Sequence, residues 1–223
     1  MRDACPPTSA QQLVIILLVI IALSTIAAMV FISEPISVEE ETAPLDPFQE
    51  PIQNDIQNVQ SFTMNKGSLQ LLVFPRAKYE ITAQVVSKKR YRDGWASKIA
   101  PYDFALAWGR LIESEISKFI MYSQIKRFYF FTCKWNCPVT QNYIGDHSSN
   151  NHLMPANINI FNALKKIKEG NTIQLWGYLV NVEGMCQQTE VNWASSTTRE
   201  DTGNGACELI YVEKIRLKNK IYR

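Results

Sequence analysis

The stretch "LVIILLVIIALSTIAAMVFI", Leu13 to Ile32, constrains this chain more than any other. It runs twenty residues without a charge. At 1.5 Å rise per residue a helix of that length reaches about 30 Å, the thickness of a bilayer's hydrocarbon core. The expectation is a transmembrane helix over residues 13–32, with the lipid bilayer as its partner. A cleaved signal peptide has a shorter apolar region of about 7 to 15 residues. Here bulky Met29, Val30, Phe31 and Ile32 occupy the place where cleavage would fall. Arg2 is the only basic residue before the run, and no Lys or Arg follows it until Lys66. That asymmetry predicts residues 1–12 in the cytosol and the rest outside, in a bacterial inner membrane with a periplasmic domain.

Residues 33–60 read as a stalk. Pro35, Pro44, Pro47 and Pro51 punctuate it, and its charges are all acidic, with no apolar periodicity. Such a segment buries too little surface to offset the entropy of ordering it. Residues 61–223 then form the domain, with 22 Lys and Arg against 13 Asp and Glu, a net of +9. A surface so basic suits an anionic wall or lipid component, or an acidic envelope protein. Cys133, Cys137, Cys186 and Cys207 lie in this domain and predict two disulfides in an oxidising compartment. Three pairings exist. Either Cys133 and Cys137 close a small loop or each reaches a distant partner.

The coarse pattern is mixed. "SLQLLVF" (68–74) and "YEITAQVVSKKRY" (79–91) alternate as strands. Asp103 stands where it caps a helix over about 104–123, with Phe104, Trp108, Leu111, Ile112, Ile116, Phe119 and Ile120 at helical spacing. "RFYFFTC" (127–133) reads as a strand and Asn157 as the cap of a second helix, "INIFNALKKIK". "NTIQLWGYLVNVEG" is apolar on both faces, as a central strand is, and Gly177 marks a bend or bulge within it. "ACELIYVEKIRL" (206–217) is the last strand. The fold class predicted is α+β: a transmembrane helix, then a small, curved, mostly antiparallel sheet or partial barrel with two helices.

Chemistry-bearing residues gather in two places. "GDHSSNNHLMPAN" holds Asp146, His147, Asn151 and His152, and reads as a loop. The two imidazoles lack the spacing that shares one helical face, and no further histidine exists, so no metal is expected. "TREDTGNGACELIYV" holds Arg199, Asp201 and Cys207. Its Asp-Thr-Gly triplet matches that of aspartic proteases. The neighbours here are small and polar, and Gly203 and Gly205 suit a turn. Three basic clusters, 88–92, 165–168 and 214–220, are apart in sequence. Nucleic acid is not expected as a partner of an exported domain. No cofactor is expected.

The layout of anchor, stalk and β-rich domain resembles that of sortases, which run His, Cys, Arg in chain order. "FNALKKIKEGNTIQLWGYL" is similar to the segment that follows their histidine. That resemblance implies Cys207 as nucleophile, His147 serving the leaving amine, and Arg216 steadying the oxyanion. In this chain, however, Cys207 begins its strand rather than ending one. "SNNHLMPAN", "GNTIQLWGYLV" and "WASSTTREDTGNGACELIYVEKI" resemble segments of uncharacterised single-pass bacterial envelope proteins, over roughly residues 75 to 217. That family implies no activity. The expectation is a non-enzymatic binding or assembly module, with a sortase-like transpeptidase or other envelope hydrolase as the alternative.

Overall fold

The computed structural model describes residues 9–39, 43–57, 59–198 and 206–223, with side chains along the first helix given mainly over 12–25. The chain divides into two units, Met1–Pro35 and Ile36–Arg223. The first contains helix α1 (Ser9–Ser33). Among the described residues no helix is long and apolar enough to cross a membrane. This corrects the expected span over 13–32, and with it the single-pass inner-membrane placement.

The second unit is built of strands. In chain order they are β1 (Val38–Glu39), β2 (Ile52–Asp55), β3 (Phe62–Lys66), β4 (Leu69–Arg90), β5 (Tyr102–Ala107), β6 (Ile120–Ile125), β7 (Phe128–Cys133), β8 (Ser148–Pro155), β9 (Thr172–Cys186), β10 (Thr189–Trp193), β11 (Glu208–Leu217) and β12 (Lys220–Tyr222). Between them lie short helices α2 (Trp95–Ile99), α3 (Ser114–Ser117), α4 (Gln141–Asp146) and α5 (Ile158–Lys166). The protein is 47% strand and 22% helix, and ten strands form one mixed sheet. That corrects the predicted α+β class with its small sheet.

The helix expected over 104–123 does not form. Phe104, Leu106 and Trp108 also alternate, and β5 sends them into the core while Asp103, Ala105 and Ala107 take the other face. A run buried on both faces satisfies either periodicity, and ladder pairing to β4 and β8 decides for the strand. The second helix does form: the Asn157 side chain accepts from Ile160 N, capping α5. α5 lays Ile160, Ala163 and Leu164 into the core.

The two strands read at 68–74 and 79–91 are one strand, β4, of 22 residues. A register shift between Pro75 and Ala77 swaps its faces. Leu69, Leu71 and Val73 therefore pack in one cluster, whereas Tyr79, Ile81, Ala83 and Val85 join the main core. The pairings around that core close on themselves: β4 with β5, β5 with β8, β8 with β11, β11 with β9, and β9 with β4. Only β8–β11 is parallel in this ring, and α5 lies between β8 and β9 in the chain. A five-stranded ring so connected is the topology of an OB-type barrel.

Two segments cover the barrel's outer face. The antiparallel β6–β7 hairpin, its tip at Lys126 and Arg127 with positive φ, lies over β8. Residues 43–52 come from the segment expected to be a stalk. They lead into β2, paired with β4, and β1 pairs with β12.

Candidate functional site

β5 and β8 place Asp103 and His152 opposite one another, with side chains on the outer face. Asp103 is fully buried, and its Oδ1 receives Arg127 Nη1 at 2.9 Å. His152 Nδ1 lies 2.9 Å from the same oxygen, out of line for a hydrogen bond. Arg127 also donates to Ala100 O at 3.1 Å, and its guanidinium sits 4.3 Å from the Tyr91 ring and 5.1 Å from that of Trp193. Trp193 packs against His152 at 4.6 Å and meets Trp95 edge-on. Asn150 extends the seam: its Nδ2 donates to Arg127 O at 2.7 Å and lies 3.5 Å from Cys207 Sγ, while Gln124 Nε2 donates to its Oδ1 at 2.6 Å. Burial places the phenol of Tyr122, on hairpin strand β6, well above its ordinary pKa.

Of the residues singled out by sequence, His152 and Cys207 thus fall in one seam. The stretch read as a loop is instead strand β8. Asn151 points to the opposite face, where its Nδ2 bonds Ser149 Oγ and Phe104 O. Asp146 closes α4. His147 stacks on Tyr143 at 3.8 Å and pairs with Glu50 at 3.1 Å. Arg199 and Asp201 lie outside the described residues. Cys133 and Cys137 are bonded to each other, whereas Cys186 and Cys207 are not disulfide-bonded, which corrects the expectation of two bridges.

The triad implied by the sortase resemblance is not assembled. Cys207 adjoins Asn150 at the start of β11, while Arg216, near that strand's far end, bonds Lys218 O and Ala43 O. Nine residues of strand separate the two, about 30 Å at 3.3 Å per residue. His147 is engaged with Glu50. Among the described residues no group of three or more His, Cys, Asp and Glu is placed to hold a metal. Sequence reasoning missed Asp103, Arg127 and Asn150. The alternation of Asp103 with Phe104 and Leu106 was the available signal for a buried carboxylate.

A solvent-open recess of about 500 Å³ lies elsewhere, where the end of β4 meets the turn after α5. Lys88, Arg90, Lys165 and Lys168 line it, with Glu169 the one acid. Two of the basic clusters that are distant in sequence therefore converge. The geometry is fixed by backbone: Gly170 N donates to Val85 O, and Val85 N to Asn171 O. Lys88 Nζ caps the end of α5 by donating to Leu164 O at 2.8 Å, Lys165 O at 3.1 Å and Ile167 O at 2.5 Å. Burial, and then the neighbouring Arg90, bring its pKa down to about 8, with Glu169 opposing. Lys214, from the third cluster, instead covers the Trp176 ring at 3.8 Å.

No family model, curated protein or solved structure matches this chain. The likeness to envelope proteins and to sortases stands on the quoted segments alone.

Proposed function

We propose that the protein is a non-enzymatic binding module for an extended, phosphate-bearing polyanion, which it takes at the recess between β4 and α5. The observation that carries this reading is the convergence of Lys88, Arg90, Lys165 and Lys168 on one open recess with a single opposing acid. Four cations gathered on one backbone frame attract polyanions at long range, and Lys88 among them is already fixed by its bonds to the end of α5. The barrel topology supports the reading, since OB-type barrels commonly bind oligomeric ligands on strand faces and loops. That support is an analogy of fold, and the recess is what makes it specific to this chain.

The seam of Asp103, Arg127 and His152 is a lock rather than a reactive centre. Its charges are spent on one another and on closing the hairpin over β8, and Trp193 packs on the imidazole.

The test is calorimetric titration of the full chain with inorganic polyphosphate and with a single-stranded oligonucleotide, at low and physiological salt. Arg90→Glu combined with Lys165→Glu is expected to lower affinity by at least about tenfold, equivalent to ~1.4 kcal/mol. Lys214→Glu combined with Lys220→Glu serves as the control and leaves affinity nearly unchanged. Equal losses in the two double variants, or no binding of either probe at low salt, refute the reading.

A further inference from the structure

Residues 43–52 form a strap across the barrel. Arg216 Nη2 donates to Ala43 O at 2.5 Å, and Gly109 N donates to Pro47 O at 2.9 Å. Trp108 Nε1 donates to Glu50 Oε2 at 2.9 Å, and His147 Nε2 meets Glu50 Oε1 at 3.1 Å. Under the strap, register pairs Thr82 with Gln174 and Gln174 with Arg216, so these three stand in one row across β4, β9 and β11. Strap and row enclose a cleft of about 280 Å³.

Its polar lining is unusual in one respect. Arg216 is 9% exposed, yet its hydrogen bonds go to two neutral carbonyls, and among the described residues no carboxylate forms an ion pair with it. Buried charges are ordinarily paired, because removing an ion from water costs several kcal/mol. Asp46 and Glu80 line the same cleft, but neither neutralises the guanidinium. Glu80 accepts from Gln174 Nε2 at 2.6 Å, and Asp46 accepts from Gln49 Nε2 and Phe48 N. Among the described residues the cleft therefore offers a guanidinium without an anionic partner and, on half-buried Glu80 and solvent-exposed Asp46, carboxylates without a cationic one, and it does not join them to each other.

We propose that this cleft binds a small zwitterion of the α-amino acid class, its carboxylate on Arg216 and its ammonium on Glu80 and Asp46. The space equals about nine waters at ~30 Å³ each. That suits one amino-acid-sized molecule and excludes a nucleotide or a polymer. The Thr82 hydroxyl and the Gln174 amide, in the row beside Arg216, supply further polar contacts to the carboxylate end. The site is separate from the cationic recess and does not depend on it.

The test uses the full chain and the free L-amino acids, screened by ligand-observed NMR and measured by calorimetry. At least one amino acid is expected to bind with a Kd at or below about 1 mM. Its decarboxylated amine and its deaminated acid each bind at least about tenfold more weakly. Glu80→Gln and Arg216→Gln each weaken the amino acid by a similar factor and leave polyphosphate binding unchanged. Arg216→Gln also removes a strap bond, whereas Glu80→Gln leaves the strap's own hydrogen bonds in place, so the second variant decides if the first unfolds. The proposal is overturned if no amino acid binds, if either one-ended analogue binds as well as the parent, or if Glu80→Gln binds like the unaltered protein.

Discussion

Replacing Arg127 with methionine tests whether the seam beneath the β6–β7 hairpin is a lock. Asp103 is fully buried, and Arg127 is its cationic partner at 2.9 Å, with the arginine side chain 19% exposed. Methionine keeps much of the aliphatic stem but strands the carboxylate, leaving a poorly aligned imidazole beside it. Removing one member of a buried ion pair typically costs about 3–5 kcal/mol, most of it the penalty of the orphaned charge. Loss of the guanidinium over Tyr91 and Trp193 adds about 0.5–1 kcal/mol per ring. Against a total stability of about 5–15 kcal/mol, an Arg127→Met chain sits near its unfolding threshold. Urea unfolding followed by tryptophan fluorescence and extrapolated to water measures the loss. Asp103→Asn should cost less, because Arg127 can then turn toward solvent. The double variant should cost less than the two singles together, since Asp103 no longer carries an uncompensated charge. A loss below about 1 kcal/mol for Arg127→Met, or strict additivity in the double variant, refutes the argument.

Three further outcomes follow from particular contacts. A Cβ at Gly177 stands 1.8 Å from Tyr211 O, a backbone atom that cannot step aside, so Gly177→Ala should exceed the usual ~1–3 kcal/mol of overpacking and lower the midpoint of the same urea transition markedly. Lys88 has a folded pKa of about 8 against an ordinary 10.5, so the folded state holds fewer protons between those values and its stability rises with pH across that window. The stability difference between the unaltered protein and Lys88→Met should therefore shift toward the unaltered protein from pH 7.5 to 9.5. Polyphosphate affinity should fall over the same range, as the Lys88 charge is lost.

How much of this was legible in the chain depends on whether a feature is local or distant. β9 and β11 were readable, because two-faced apolar runs leave a central strand little choice. Gly177 was readable as an irregularity. What the residues did not reveal is its cause, the approach of β11, whose register shifts between Val212 and Lys214 directly across the ladder. The 104–123 region failed because two periodicities overlap within it, and only pairing with β4 and β8 breaks the tie. The strap failed for a different reason. Residues 33–60 lack the apolar pattern of a folded segment, and within them 43–52 are held instead by backbone and side-chain hydrogen bonds to distant partners such as Arg216, Gly109 and Trp108. No local composition encodes bonds to residues 58 or more positions away.

The same distinction governs the candidate sites. His152 and Cys207 drew notice because their side-chain types carry chemistry, but type says nothing of what surrounds them. In the fold His152 is spent against Asp103 and Trp193, and Cys207 sits beside an asparagine amide. The basic clusters drew less notice because lysines at a surface are ordinary, and charge runs normally face solvent singly. Pairing of Val85 with the turn after α5 converts two such runs into one recess, since it sets the end of β4 against the end of the helix. The cationic recess is thus a product of topology: a barrel that sends its first strand past its own helix brings Lys88 to the helix's terminal carbonyls. Lys88 then serves two ends at once, satisfying those carbonyls and placing charge at the recess. A variant that loses polyphosphate binding through Arg90 and Lys165 while keeping the α5 contacts of Lys88 separates those two roles, which no single substitution at Lys88 can do.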